Sequence, residues 1–379
     1  MARDTYGLLK RLVETNTVHD NETDLSVYLK DYLKDHANKV ELLGEGRRKN
    51  ILAYFGDLNS KNVLLFNGHL DTVSAAEEGW KSDPFVLTEI DGLLYGRGTA
   101  DMKGGIVASI FAILEAKKEN LIKNKLVIFA GSADEETGAD SELGCKKIVD
   151  HLIAKDIVPT GAIIPEPNTN KSRLKINLGH RGLIWVQCKA KGTVVHSGLL
   201  RKEDNAILNM KKFVERVYSL FPKEPTRVNG VPSSSCRLTW IKSGGGSQGF
   251  RRTPADCIAD LDIRVSPLER NEDVLAKVEK IAGKMGVSVK VIKSTPSASI
   301  SSDERIVKTI ENVLRGQGID FELGYASPTC DAHWFINKGI PAVNGMGATG
   351  DNPHAANEYV VLSSIDDRIE TFKKIIARF

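Results

Sequence analysis

Apolar residues at helical spacing open the chain. Leu8, Leu9, Leu12 and Val13 form one stripe, and a second helix is expected over 25–33. Four short apolar runs follow, at 51–55, 63–66, 126–130 and 162–164, each of strand length. Helical stretches at 106–116 and 143–153 alternate with them. This β/α alternation predicts a mostly parallel sheet covered on both faces. Asp91-Gly92, between apolar runs at 85–90 and 93–95, is a two-residue hairpin signal.

The pattern changes near Gly179. Ile184, Val186, Cys188 and Ala190 alternate with polar residues, as in a strand with one buried face. A helix follows at 205–220, then strands at 237–242 and 258–265 joined by a loop containing Gly244, Gly245 and Gly246. A helix at 271–285, stopped by Gly286, precedes a last strand carrying Val287, Val289 and Val291. The order βαββαβ is ferredoxin-like. After about Pro296 the α/β pattern resumes, with helical stripes at Ile306, Ile310 and Val313 and at Ile365, Ile369, Phe372 and Ile376, and a short strand at 340–343. The expected organisation is one α/β domain built from 1–178 and 294–379, with an α+β domain, 179–293, inserted into it.

Composition narrows the function classes. A formal net charge of +3 is too small to argue for nucleic acid, and Arg47-Arg48-Lys49 and Arg251-Arg252 lack interleaved aromatics. No run approaches the ~20 apolar residues of a membrane span. The five cysteines are scattered and form no C-x-x-C pair, which points to a reducing compartment. A cytoplasmic protein is expected, with neither nucleic acid nor membrane as a partner.

The chemistry lies where the strands run out. His69 and Asp71 stand in NGHLDTV, after the run at 63–66. Asp101 stands in GRGTADMKGG, Glu135 and Glu136 in SADEETG, Glu166 in PEP, and His354 in GATGDNPHAANEY. Each has a bland reading: a surface turn, a decorated loop, a rigid Pro turn or a lone loop histidine. Strand ends, however, are where an open α/β sheet presents ligands. Histidine nitrogen with carboxylate oxygen suits a divalent ion, and there are donors enough for two. Asp71 is placed to accept the other N–H of His69. Asp101 reads as a carboxylate between two ions. It also stands at the third glycine position of a G-x-G-x-x-G fingerprint, which argues against dinucleotide binding. Of the adjacent acids, Glu136 is assigned as ligand and Glu135 as the proton carrier. The implied reaction is metal-assisted attack of water on a carbonyl.

In their order, these motifs resemble the co-catalytic zinc amidohydrolases, the family of acetylornithine deacetylase, succinyl-diaminopimelate desuccinylase, aminoacylase, glutamate carboxypeptidases and several dipeptidases. The resemblance covers essentially the whole chain. It implies two Zn2+, with Co2+ or Mn2+ as substitutes. His69 and Glu166 would hold one ion, Glu136 and His354 the other, and Asp101 would bridge them. It implies that Asp71 orients His69, that Glu135 moves protons, and that the peptide after Asp101 is cis. It implies a homodimer formed through the inserted lid domain, whose strand edges are open. His196, in KGTVVHSG, would stabilise the oxyanion, in relatives across the dimer interface; a loop histidine is the alternative. Arg264 would bind a substrate carboxylate, with an ion pair to Asp260 or Asp262 as the competitor, and Arg181 and Asn205 would lie near the substrate.

This chain departs from the family at 251–257, RRTPADC, where relatives carry an asparagine, so acyl-group preference does not carry over. Cys330 is not expected to act as a nucleophile. The implied substrate is an acylated amino acid or short peptide, cleaved at an amide next to a free carboxylate. The N-acyl amino acid deacylase reading leads. A dipeptidase or carboxypeptidase with the same metals is the alternative. A non-catalytic peptide-binding relative is the reading from another class, and the presence of Glu135 and every ligand weighs against it.

Overall fold

Three parallel strand pairs, side by side, form the centre of the larger sheet. Val63–His69 pairs in parallel with Leu126–Ser132 on one side and Gly161–Ile164 on the other, and Gly161–Ile164 pairs in parallel with Ala342–Gly345. Antiparallel strands flank this centre: Asn50–Gly56 and then Lys39–Leu43 at one side, and Leu174–His180 at the other. The computed structural model describes residues 4–18, 21–136, 142–170, 172–198, 205–224, 226–228, 230–244, 251–326 and 329–379. Gly245 and Gly246 of the glycine-rich loop, and Thr137 and Gly138 of the acidic motif, lie outside them.

Every residue of Val63–His69, Leu126–Ser132 and Gly161–Ile164 is buried, as expected of strands covered on both faces. On one face Leu65, Ile128 and Ile164 join a core with Ile148 and Leu152 of helix Cys145–Ala154 and with Phe335 of helix Ala332–Ile336. On the other, Phe66 meets Phe372 of helix Leu362–Arg378 with ring centroids 5.3 Å apart. Burying each such ring is worth about 1.5–3 kcal/mol. Helix Gly104–Lys118 packs against Leu362–Arg378 and is buried nearly all round, which accounts for its lack of a polar face.

The hairpin forms at Asp91-Gly92. Their φ values of 53° and 75° are both left-handed, as a primed two-residue turn requires. It joins Thr88–Ile90 to Leu93–Tyr95, and these continue into a small antiparallel sheet with Tyr359–Val361 and Gly350–Asp351. That sheet lays the loop 352–358 beside the chain leaving Tyr95.

The chain divides into two compact units, Met1–Gly179 with Ser299–Gly324 and Cys330–Phe379, and His180–Ala298 with Tyr325–Thr329. In the second unit the strand order is Ser235–Ser243, Asp256–Val265, Gly182–Lys191, Ser288–Thr295, all antiparallel. This is the ferredoxin-like order. Helices Ala206–Tyr218 and Asn271–Met285 contribute to the core under it, and Cys257, Ala259, Leu261, Ile263 and Val265 alternate into that core.

The mostly parallel sheet and the ferredoxin-like α+β unit both agree with the sequence pattern. Among the strands not expected are Lys39–Leu43, Leu174–His180, Phe321–Ala326 and Tyr359–Val361. Among the described residues no helix is long and apolar enough to cross a membrane. The five cysteines are free.

Candidate metal centre

Parallel pairing explains why distant motifs converge. Strands running the same way end on the same edge, and the register places His69 opposite Ser132 and Asn344 opposite Ile164. The residues after each strand end therefore share one rim: Asp71 after the first, Glu135 and Glu136 after the second, Glu166 after the third. Glu166 is seated closely. Its carbonyl accepts from Gly347 N–H at 2.9 Å, and a side chain at Gly105 would place Cβ 2.1 Å from the Pro165 carbonyl oxygen. Gly105 is thus required by close approach.

Asp101 lies in a widened turn, Thr99–Lys103, with extended φ and ψ of −113° and 92°, and the Asp101–Met102 peptide is cis, as the resemblance implies. Its carboxylate faces both histidines: His69 Nε2 is 3.1 Å from Oδ1, and His354 Nε2 is 3.4 Å from Oδ2. His354 Nε2 is also 3.0 Å from Glu136 Oε1.

Three sets of donor atoms lie within 4.8 Å of one another: His69, Asp101 and Glu166; His69, Glu135 and Glu136; Asp101, Glu136 and His354. All five expected ligands are brought together, with Glu135 among them. Among the described residues Glu135 stands in one of these sets and Glu136 in two, although both lie within reach of His69. The electrostatics suit cations. Burial raises Glu135 well above its ordinary value, and the charges of Glu136 and Glu166 add to this against His69. Burial likewise raises Glu166, with Asp101 adding to it. Burial alone would lower His69, but its hydrogen bond to Asp101 and the charge of Glu166 raise it well above normal. His354 is pushed up to about 10, first by its hydrogen bonds to Asp101 and Glu136. Burial opposes ionisation of Asp101, yet the His354 and His69 hydrogen bonds outweigh it and hold the carboxyl below its usual range. This many acids in one buried rim is a site that divalent ions fit.

Asp71 differs from its expected part. His69 Nδ1 meets the Asp71 backbone carbonyl at 3.0 Å, while the carboxylate lies 3.7 Å away. That carboxylate instead accepts from the backbone N–H groups of Glu135, at 3.1 Å, and Glu136, at 2.8 Å. It fixes the acid pair, and Asp71's carbonyl fixes the histidine tautomer that leaves Nε2 facing the donors.

The other expected residues belong to the second unit. His196 is exposed and forms an isolated bridge with Arg252. Asn205 caps helix Ala206–Tyr218, accepting from Ile207 N–H at 2.9 Å. Arg264 makes a two-pronged pair with Asp262, at 2.9 and 3.0 Å. Arg181 Nη1 donates to Ser235 Oγ at 3.1 Å, and its buried Nε has no hydrogen-bond partner among the described residues.

Three residues beside the site were missed. Asp331 accepts from Asn67 Nδ2 at 2.9 Å and Ser132 Oγ at 2.7 Å, tying two adjacent strand ends together. Its place right after Cys330 was visible, but its partners were not. Glu358 accepts from the Asp101 loop and lies four residues after His354, a spacing that could have flagged it.

Glu22, fully buried at the start of helix Thr23–Leu33, carries no sequence signal. Burial pushes its carboxyl from 4.5 up to about 7, and the charges of Asp71 and Asp134 add to this. Between those two values the folded chain keeps a proton that the unfolded chain has lost, so Glu22 costs stability as pH rises through the window. Glu22→Gln is expected to match the wild type near about pH 5. Near about pH 8 it should be more stable, by at most about 3 kcal/mol. Thermal melts at both pH values check this, and a difference that does not change with pH would refute it.

Residues 65–378 match the profile of Peptidase family M20/M25/M40. The chain is similar to a protein of Staphylococcus aureus (strain Mu50) named probable succinyl-diaminopimelate desuccinylase, 35% identical over 406 aligned residues that cover 98% of each chain. In fold it resembles the M20 family metallo-carboxypeptidase Sso-CP2 from Sulfolobus solfataricus, with a TM-score of 0.79, 20% identity and 99% of each chain covered. It also resembles the Bacillus subtilis YXEP protein, described as a dinuclear metal-binding peptidase, with a TM-score of 0.70, 13% identity, and 98% of this chain and 96% of that one covered.

Proposed function

The chain belongs to peptidase family M20/M25/M40, and from that premise we propose that it is a two-metal amide hydrolase releasing an amine from an N-acyl amino acid. The observation that carries the proposal is the sharing of donors. Asp101, His69 and Glu136 each stand in two of the three donor sets, so the sets describe adjoining sites. His69 and Glu166 would hold one ion and Glu136 and His354 the other, with Asp101 common to both. This mix of nitrogen and oxygen favours zinc, with cobalt or manganese able to use the same donors. When bound, such ions polarise the scissile carbonyl and bring the pKa of water towards neutrality.

The chain's own residues handle the protons. Glu135 takes a proton from the water that adds to the carbonyl carbon. It returns the proton to the nitrogen as the C–N bond breaks, leaving a carboxylate and an amine. Its burial, which favours the protonated form, suits a group that must hold a proton between the two steps. Asp71, through the two backbone N–H groups, holds this acid in place.

The full-length similarity to a protein named as a desuccinylase supports deacylation over peptide cleavage. In the second unit, His196 is assigned as a donor to the carbonyl oxygen, and Arg181, Asn205 and Arg264 as substrate-handling residues. Arg181 is better placed than Arg264 to take a carboxylate, because Arg264 already holds Asp262 with two donors. The test is amine release by the zinc-loaded protein from N-succinyl and N-acetyl amino acids and from dipeptides. Acylated amino acids are expected to be the better substrates by kcat/KM. Preference for dipeptides would move the reading to a dipeptidase or carboxypeptidase, and no release despite full metal loading would favour a peptide-binding relative. In the same assay His196→Ala should lower kcat by roughly 10²-fold with metal content unchanged; an unchanged kcat would remove His196 from the reaction.

A further inference from the structure

We propose that Glu358 is a positioning residue that sets the ligand common to both ions, Asp101, and ties it to the loop carrying His354; this rests on the two-metal reading above. The Glu358 side chain is 1% exposed, and its carboxylate accepts four hydrogen bonds. Oε1 takes the N–H of Ala100 at 2.9 Å and of Asp101 at 3.0 Å. Oε2 takes the N–H of Gly98 at 2.9 Å and Arg97 Nη1 at 2.8 Å. The small sheet prepares this contact. Tyr359 pairs with Tyr95, and Gly96 N–H donates to the Glu358 carbonyl at 3.1 Å, the last backbone bond of that ladder. Beyond it the chain leaves strand geometry to form the Asp101 turn, and the Glu358 side chain replaces the ladder as acceptor for the next N–H groups. Arg97 closes the arrangement by also donating to the Ala355 carbonyl at 3.3 Å, one residue after His354.

A simpler role would be neutralising the buried Arg97. The bonding is not built for that alone. Three of the four donors are backbone N–H groups of the turn that carries Asp101, and Oε1 serves only those. Arg97 also has a second acid, Glu77, within ion-pair reach. Asp101 faces His69 and His354 through its two different oxygens, so an error in its backbone is felt by both donor sets.

The inference separates Glu358 from an ordinary ligand. Loss of a ligand to one ion, as in His354→Ala, should weaken one site. Glu358→Ala should weaken both together, by roughly 10- to 100-fold, the range for groups that orient metal ligands. Glu358→Gln can keep an oxygen towards Ala100 and Asp101 while its amide faces Gly98 N–H and Arg97 with the wrong polarity, so it should fall between wild type and alanine. The experiment titrates chelator-treated wild type and the three variants with Co2+ alone, reading stoichiometry, affinity and the visible absorption of the bound ion. Circular dichroism checks the fold. Parallel loss at both sites, with Gln partly rescuing Ala, is the expected result. Folded Glu358 variants that bind both Co2+ ions with wild-type affinity and spectrum would overturn it, as would loss confined to one site. If the alanine variant does not fold, the glutamine variant decides. If neither folds, Glu358 is a folding residue and the proposal fails. Wild type that binds no Co2+ would instead strike down the two-metal reading itself.

Discussion

Glu135→Gln is expected to lower kcat by about four orders of magnitude while leaving metal content unchanged. The amide has the shape of the protonated acid but cannot take a proton from water. Since one carboxyl serves first as base and then as acid, the loss should sit at the upper end of the range for general acid–base catalysis, roughly 10²–10⁴-fold. The backbone around it should survive, because Asp71 holds residues 135 and 136 through their N–H groups and not through the side chain being changed. The comparison with Glu136→Gln makes the test sharp. Both acids lie within reach of His69, so geometry leaves either able to bind an ion. Glu136 meets His354 Nε2 at 3.0 Å, and its variant should lose metal as well as activity. Metal per chain, measured beside kcat, separates the two roles. A Glu135→Gln protein that keeps activity within about tenfold, or loses metal as Glu136→Gln does, would show the division of labour to be misassigned.

How far the sequence foretold this site follows from the range of each interaction. Strand-end positions are local information. The runs at 63–66, 126–130 and 162–164 end just before His69, Glu135 and Glu166, and parallel pairing then brings those ends together. The Asp91-Gly92 hairpin is local too, and it formed with both residues in the left-handed region. What escaped is set by partners far along the chain. Asp71 looked like the acceptor for His69 because it is two residues away, but its carboxylate serves the backbone of residues 64 and 65 positions later. Glu358 meets Asp101 from 257 residues away, and Asp331 meets Asn67 from 264. The strand Lys39–Leu43 is half-exposed along most of its length, so it shows neither strict alternation nor a buried run. Arg264 had two readings, and the structure pairs it with Asp262, the acid two residues away on the same strand.

Removing the metal with a chelator is expected to abolish hydrolysis, and the pH dependence of metal binding should reveal why. Chelated protein keeps protons on the groups that would otherwise face cations. His354 holds its proton up to about 10, by its hydrogen bonds to Asp101 and Glu136, and His69, Glu135 and Glu166 are all raised well above their ordinary values. A histidine must give up the proton on its donor nitrogen to bind an ion, so each ion that enters displaces protons. Affinity should therefore rise with pH across about 6 to 8, and zinc added to chelated protein in weak buffer near about pH 7.5 should release at least about two protons per chain, one from each histidine. The same linkage predicts a stability gain, because an ion that binds only the folded chain adds about 4 kcal/mol at a thousandfold excess over its dissociation constant. Activity should return with zinc, cobalt or manganese. Full activity in protein shown to carry no metal would refute the two-metal reading. Zinc binding without proton release would show that both histidines already lack the proton on their donor nitrogens in the metal-free protein.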